Sequence, residues 1–483
     1  MTSKNKVMSN FLWRFAERSG AQLVTFVVSV VLARLLDPEV YGTIALVTVF
    51  ITILNVFVDS GMGNALIQKA DADDLDFSTV FYFNITMCLI LYLIMFALAP
   101  SIATFYNIPS LIPVIRVLSL TIIISGLKNV QQAYVSRNLL FKRFFFATLG
   151  GTIGAAIIGI YMAYRGYGIW ALVAQQLFNT LVDTIVLWIT VKWRPRKMFS
   201  LERLKGLFSY GWKLLVSSLL NTVYNNIRQL IIGKLYTSEE LAYFNRGKQF
   251  PNLIITNVNT SIDSVLLPTM SKEQGDVSRV KSMTRRAIKT STYIMAPLMI
   301  GLTVCAVPLV RIILTDKWLP CVPFMRIVCI TCLFYPIHTA NLNAIKALGR
   351  SDLFLYLEVI KKVVGTIILV STMWFGVYVM AWSLLVESVI AQVINTWPNK
   401  KLLKYGYTDQ IKDILPGILL AVFMGVCIYP LNQLQLPSLA VLIMQIIAGA
   451  AVYIGGSVVF RLESFRYLLG VLNPWWERIT KRK

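Results

Sequence analysis

Long apolar runs alternate with short polar punctuation along the whole chain. The first two cover residues 11–34 and 42–66, flank the turn Asp37-Pro38-Glu39-Val40-Tyr41-Gly42, and lead into Asp59-Ser60-Gly61-Met62-Gly63-Asn64. Each arm holds about 20 predominantly apolar residues, the length that carries a helix across a ~30 Å hydrocarbon core. The stretch from Phe11 to Gln68 therefore predicts a membrane-spanning helical hairpin. Onward, runs at 78–99, 112–135, 144–164 and 168–191 complete a first half. Runs at 208–234, 241–267, 289–314, 323–346, 353–374 and 378–398 make a second, and 413–431 and 438–460 trail it. The total is about 14 candidate spans.

The hairpin recurs. Leu32-Ala33-Arg34-Leu35 answers Ile232-Gly233-Lys234-Leu235, and the turn answers Thr237-Ser238-Glu239-Glu240-Leu241-Ala242. Downstream, Leu111 to Arg116 answers Cys321 to Arg326, and Gly151-Thr152-Ile153 answers Gly365-Thr366-Ile367. Such internal self-similarity implies two homologous halves. With an even number of spans each, the halves keep one orientation and are expected to be related by a pseudo-twofold along the membrane normal. The expected fold class is an all-α integral membrane protein: two lobes of about six helices each and two C-terminal helices. The expected boundaries are an N-lobe at 1–195, a linker at 196–206, a C-lobe at 207–400, trailing spans within 401–460 and a basic tail at 461–483.

Composition agrees. Of 483 residues, 57% are hydrophobic and 14% charged, with mean hydropathy +0.66, outside the range of soluble domains. The formal charge of +23 invites a nucleic-acid reading, but the basic residues sit in alternate loops. With the amino terminus inside, roughly thirty fall in cytoplasmic loops and about four outside, as the positive-inside rule requires. Both termini are thus expected in the cytoplasm, and no nucleic-acid partner is expected. The acidic loop Asp71-Ala72-Asp73-Asp74-Leu75-Asp76 is the exception on the inner side. Charge in the linker from Lys192 to Lys205 is expected to lie against anionic lipid headgroups. The tail, with Trp475 and Trp476, has the composition of an interfacial helix or of a solvated end. No cleavable signal is evident at the amino terminus, so the first span is expected to act as its own signal.

Enzyme chemistry finds little footing. No phosphate-binding GxxxxGK[ST] loop occurs, and His338 is the sole histidine, better suited to packing than to a metal site or a nucleophilic triad. Cys329 and Cys332 have CxxC spacing but no second ligand pair nearby, so the six cysteines read as small buried hydrophobes.

Charges inside spans are costly and mark functional candidates by default. Here cations predominate: Arg14, Arg18, Arg116, Lys128, Arg228, Arg246, Lys248, Arg326, Lys361 and Lys362 against Glu17, Asp59, Asp183, Asp263, Glu358 and Glu387. Arg116 and Arg326 follow a proline near span ends and suit snorkelling. Glu358 has the i, i+3 and i+4 spacing to pair with one of Lys361 and Lys362, and Glu387 stands at comparable depth for the other. Asp59 and Asp263, near inner span ends, fit a structural cap as well as an ion site. A surplus remains at Arg18, Arg228, Arg246, Lys248 and one of the two lysines. Cations of this kind suit a phosphate or diphosphate, Arg through bidentate donors and Lys as a point charge. The polar run Asn221 to Asn226 fits sugar contacts or helix–helix hydrogen bonds equally.

Taken together, Ser19-Gly20-Ala21-Gln22, the stretch Leu32 to Gly42, Asp59 to Gln68 and Tyr243-Phe244-Asn245-Arg246-Gly247 resemble the Wzx-type polysaccharide exporters of the multidrug/oligosaccharidyl-lipid/polysaccharide superfamily, in the colanic-acid and teichuronic-acid branch. That resemblance implies a flippase in the bacterial inner membrane. It would move undecaprenyl-diphosphate-linked oligosaccharide outward by alternating access around a cationic cavity, for O-antigen, capsule or exopolysaccharide. The embedded cations Arg14, Arg18, Arg228, Arg246, Lys248, Lys361 and Lys362 are the substrate-binding candidates, and by the resemblance Arg18 is the best match to a first-span arginine of related flippases. The resemblance implies no bound cofactor but coupling to a proton or sodium gradient, with Asp59, Asp183 and Glu387 as candidates. Polymerase and glycosyltransferases are the implied partners. The rival readings are a drug/cation antiporter of the same fold, which needs embedded acids, an assembly subunit without transport, and a membrane-bound glycosyltransferase.

Overall fold

The computed structural model describes residues 20–59, 61–69, 71–138 and 142–470. Every regular element among them is helical. Arg14 and Arg18 lie outside the described residues, as do Trp475 and Trp476. The chain forms two compact units, residues 1–242 and 243–483.

The first unit runs through α1 (Gly20–Leu35), α2 (Pro38–Val58), α3 (Met62–Gln68), α4 (Asp74–Tyr106), α5 (Leu111–Leu118), α6 (Leu120–Arg137), α7 (Lys142–Tyr164), α8 (Ile169–Thr190) and α9 (Leu201–Leu235), and takes in the start of α10 (Ser238–Lys272). Pro38 opens α2 at a first-turn position, where its missing N–H costs nothing. α2 ends at Asp59, and Gly61, at φ +47°, turns the chain into α3. At this break a side chain on Gly61 would place its Cβ 2.3 Å from the Gly211 carbonyl oxygen of α9. Gly42 is tighter still, since a Cβ there would lie 1.7 Å from the Ser238 carbonyl oxygen. The two turns of the repeat thus meet backbone to backbone at a glycine. Elsewhere in this unit Leu66, Phe77, Phe81, Val130, Leu187 and Trp193 form an apolar core.

The acidic loop is neutralised by the linker. Asp73 and Asp76 close a reciprocal cap on α4, with the Asp76 amide donating to Asp73 at 2.9 Å. That amide holds the Asp73 carboxyl below its usual range. The cap therefore contributes at neutral pH and is lost as the pH falls from about 3.9 through the depressed value. Asp76 is fully buried and paired with Lys69 at 2.7 Å. Arg196 reaches Asp74 at 3.0 Å, and Arg203 reaches Asp76 at 3.6 Å. The non-helical backbone of the linker donates from Arg196 to Ser78 Oγ and from Ser200 to Thr79 Oγ1. Arg196 and Arg203 thus face carboxylates, and backbone N–H groups outside regular structure tie the strip to α4.

The second unit continues along α10 with α11 (Val277–Val304), α12 (Ala306–Ile313), a 3-10 turn (Asp316–Cys321), α13 (Val322–Cys332), α14 (Tyr335–Ala347), α15 (Ser351–Thr372), α16 (Val377–Leu402), α17 (Tyr407–Ile428) and α18 (Ser438–Val459). Met270, Ile288, Ile337, Ala344, Tyr405 and Ile414 form its core. Cys329 and Cys332 are buried free thiols on α13.

A polar seam crosses this apolar core. The Asn341 amide donates to Gln410 Oε1 at 2.8 Å and receives Gln410 Nε2 at 2.9 Å and Asn399 Nδ2 at 2.7 Å. All three residues are fully buried. The seam ties α14 to α16 and α17 by hydrogen bonds that lipid cannot replace. Asn341→Leu strands two buried amides, and each unmet partner costs about 1–3 kcal/mol. A clear drop in melting temperature of the purified protein is expected, and an unchanged value would remove the seam from the stabilising terms.

Nine helical segments among the described residues are long and apolar enough to cross a membrane, with shorter apolar helices at Gly20–Leu35 and Thr148–Tyr164. α9, α10 and α15 are long but polar. α9 and α10 have 35 residues each, about 52 Å at 1.5 Å per residue, and α15 carries Glu358, Lys361 and Lys362. The chain is thus a multi-pass helical membrane protein, while the count of about 14 spans and the symmetry of the lobes stay expectations. Four expected single runs are each broken in two: 42–66 falls across α2 and α3, 112–135 across α5 and α6 at Ser119, 289–314 across α11 and α12 at Cys305, and 323–346 across α13 and α14 at Leu333 and Phe334. Pro336 at the start of α14 explains the last of these, because it cannot donate into a continuous helix.

Candidate functional site

In the first unit the embedded charges gather where α2, α6 and α8 meet. Asp59, at the end of α2, accepts a hydrogen bond from Asn129 Nδ2 at 3.2 Å. Lys128, adjacent on α6, points its Nζ at Asp183 Oδ2 of α8 at 2.5 Å. Both members of that pair are largely buried, at 17% and 14% exposure. Of the acids proposed for ion coupling, Asp183 is therefore held by a cation, while Asp59 is hydrogen-bonded to a neutral amide and lies within electrostatic reach of the same lysine. Arg228, on α9, is buried in the same unit. In the neighbouring polar run Asn226 donates to the Thr222 carbonyl of its own helix and receives Gln229. Asn221 and Asn225 are exposed.

In the second unit the expected cations divide. Arg246 is buried, with its guanidinium 4.9 Å from the Trp318 ring centroid and donating to Gln249 Oε1 at 2.6 Å. Cation–π contact of this kind fixes a guanidinium in place. Two residues on, Lys248 lies 5.1 Å from the Phe244 ring and within electrostatic reach of Cys332. Lys361 pairs with Glu358 at 2.5 Å, the i, i+3 contact that the spacing predicts. Lys362 and Glu387 are half-buried.

Lys361 also lies within reach of His338. Asn395 Nδ2 donates to His338 Nδ1 at 3.2 Å, which leaves the proton on Nε2, 3.3 Å from Ser388 Oγ. Ser388 in turn donates to the Thr331 carbonyl at 3.4 Å. His338 is thus a neutral, doubly hydrogen-bonded member of the helix packing. Glu387 is within reach of Tyr335, so Lys248, Tyr335, His338, Lys361 and Glu387 bring α10, α14, α15 and α16 to one polar region. Asn395 and the seam residues Asn341, Asn399 and Gln410 do not enter the charge-based reading of the sequence. Their signal is the polar spacing 388, 392, 395, 399 along one face of α16. Elsewhere, Asp263 accepts from Asn343 at 2.6 Å, and Arg326 donates to the Thr303 carbonyl at 3.2 Å. Among the described residues no cluster of three metal-type ligands occurs.

This arrangement can hold anions on embedded cations and can carry a small cation or proton on Asp59. The polysaccharide biosynthesis protein family matches residues 31–323. Teichuronic acid biosynthesis protein TuaB of Bacillus subtilis (strain 168) is 24% identical over 377 residues, 77% of either chain. Lipopolysaccharide biosynthesis protein WzxC of Escherichia coli (strain K12) is 22% identical over 75% of this chain and 74% of its own. The solved structure of the lipid II flippase MurJ in an inward closed conformation has TM-score 0.76 at 16% identity, covering 93% of this chain and 99% of that one. An inward-facing multidrug transporter of the MATE family has TM-score 0.62 at 16% identity, covering 80% and 94%. The two structures speak to fold alone. The chain belongs to the polysaccharide biosynthesis protein family.

Proposed function

We propose that this protein carries an undecaprenyl-diphosphate-linked oligosaccharide from the cytoplasmic to the outer leaflet of the bacterial inner membrane by alternating access, with both termini in the cytoplasm. The observation that carries the reading is that Arg228 and Arg246 are buried and Lys248 and Lys362 half-buried on the long helices α9, α10 and α15, which we read as crossing the membrane. Charges at such depth cost at least ~2.5–3.5 kcal/mol each on insertion scales, and an anionic diphosphate cargo accounts for their sign. Arg14 and Arg18 belong to the same proposed set. A drug/cation antiporter would need the opposite excess.

Depletion in the host is expected to accumulate glycan-loaded carrier on the inner face. Normal surface polymer with normal carrier pools would sink the reading. Among the acids, Asp59 is the proposed coupling residue, because Asp183 already holds Lys128. Asp59→Asn in reconstituted vesicles is expected to remove the acceleration of lipid transfer by an imposed proton or sodium gradient. Undiminished acceleration would exclude Asp59 from coupling.

A further inference from the structure

The groove between α10 and α11 has no part in the transport reading. It encloses about 660 Å³ along residues 257–269 of α10 and 283–294 of α11, within the second unit. At 1.5 Å per residue its α10 wall is about 18 Å long, close to the ~15 Å depth of one leaflet's hydrocarbon. Ile262, Val265, Leu266 and Ile294 make the wall largely apolar.

One cation stands over this wall. On α11, Arg285 is held by both oxygens of Asp413 at 2.7 Å, and Lys289 is shared between Asp413 and Glu463. Arg286, between them in sequence, is exposed and lines the groove. Its guanidinium lies 4.8 Å from the Tyr467 ring centroid, and it makes no ion pair among the described residues. The neighbouring cations are thus neutralised by carboxylates, and the one beside the apolar slot is left with its donors available. An apolar channel of leaflet depth under a single unpaired guanidinium has the chemistry of a lipid with an anionic head.

We propose that this groove is a binding site for an anionic diacyl phospholipid, with one acyl chain along Ile262 and Ile294 and the phosphodiester on Arg286. The length of the wall selects a diacyl lipid over a polyprenyl carrier, whose chain is several times longer than one leaflet is deep. The inference rests on membrane residence, not on the flippase reading, so carrier-pool experiments do not bear on it.

Native mass spectrometry of the full chain in detergent, titrated with dioleoylphosphatidylglycerol, tests it. The expected result is a retained one-to-one adduct, with dioleoylphosphatidylcholine binding weakly. Arg286→Gln is expected to weaken the adduct about tenfold, the loss of one charge-assisted contact. Val265→Trp, which fills the slot without touching the charge, is expected to weaken it as well. Arg279→Gln, at an exposed pair with Glu273 at 2.8 Å away from the groove, should leave it unchanged. Equal binding of phosphatidylcholine, or an adduct indifferent to both groove variants, overturns the proposal. So does undecaprenyl phosphate displacing phosphatidylglycerol in an Arg286-dependent way, since the carrier would then be the occupant.

Discussion

Gly42→Val is expected to leave almost no monodisperse protein after detergent extraction. A Cβ at this position would sit 1.7 Å from the carbonyl oxygen of Ser238, and the carbonyl carbon is only 2.4 Å away. The obstacle is backbone at the start of α10, which no rotamer change relieves. Overpacking against flexible side chains costs about 1–3 kcal/mol, and a clash with fixed backbone exceeds that range. Gly42→Ala should show the same defect in milder form, while Gly150→Ala, where nothing lies within 4 Å, should behave as the unmodified protein. Fluorescence-detected size-exclusion of the three variants decides the matter. Normal recovery of Gly42→Val would mean that the two turns of the repeat do not meet as described.

Lys128→Met alone is expected to destabilise the first unit by about 3–5 kcal/mol, because it leaves the largely buried Asp183 carboxylate without its cation. Lys128→Met combined with Asp183→Leu should recover most of that loss, since replacing both partners of a buried pair by apolar groups is often neutral or stabilising. Thermal unfolding of the single and double variants in detergent gives the comparison. Lipid transfer measured on the recovered double variant then separates two roles. Transfer at the unmodified rate identifies the pair as a structural clasp between α6 and α8 and leaves Asp59 as the coupling candidate. Loss of transfer despite restored stability would return Asp183 to the coupling path.

Several features were legible without the fold. Pro38 punctuates the first hairpin, and α1 stops at Leu35 and α2 starts at Pro38. The pair Lys361–Glu358 follows from i, i+3 spacing on one helix. Hydropathy was less informative at helix ends. The expected run 208–234 begins seven positions after α9 does, because Ser200 caps that helix by accepting the Arg203 amide at 3.3 Å in a stretch that is not apolar. Arg246 illustrates a different gap. Its charge and depth were readable, but its position over Trp318, 72 residues later in the chain, was not.

By itself the sequence determined membrane residence, the repeated hairpin, the excess of embedded cations and the family. Membrane residence and the embedded charges follow from composition along the chain, the repeated hairpin from self-similarity between distant segments, and the family from the resemblance of short motifs, none of which needs a contact between helices. Only the tertiary structure decided which charges are spent on one another. Asp183 meets Lys128 across 55 positions, Arg196 meets the acidic loop, and Arg285 takes Asp413 while Arg286 takes no carboxylate among the described residues. An ion pair in a low-dielectric interior is governed by separations of a few ångströms, and between helices those separations are set by packing, which no local pattern encodes.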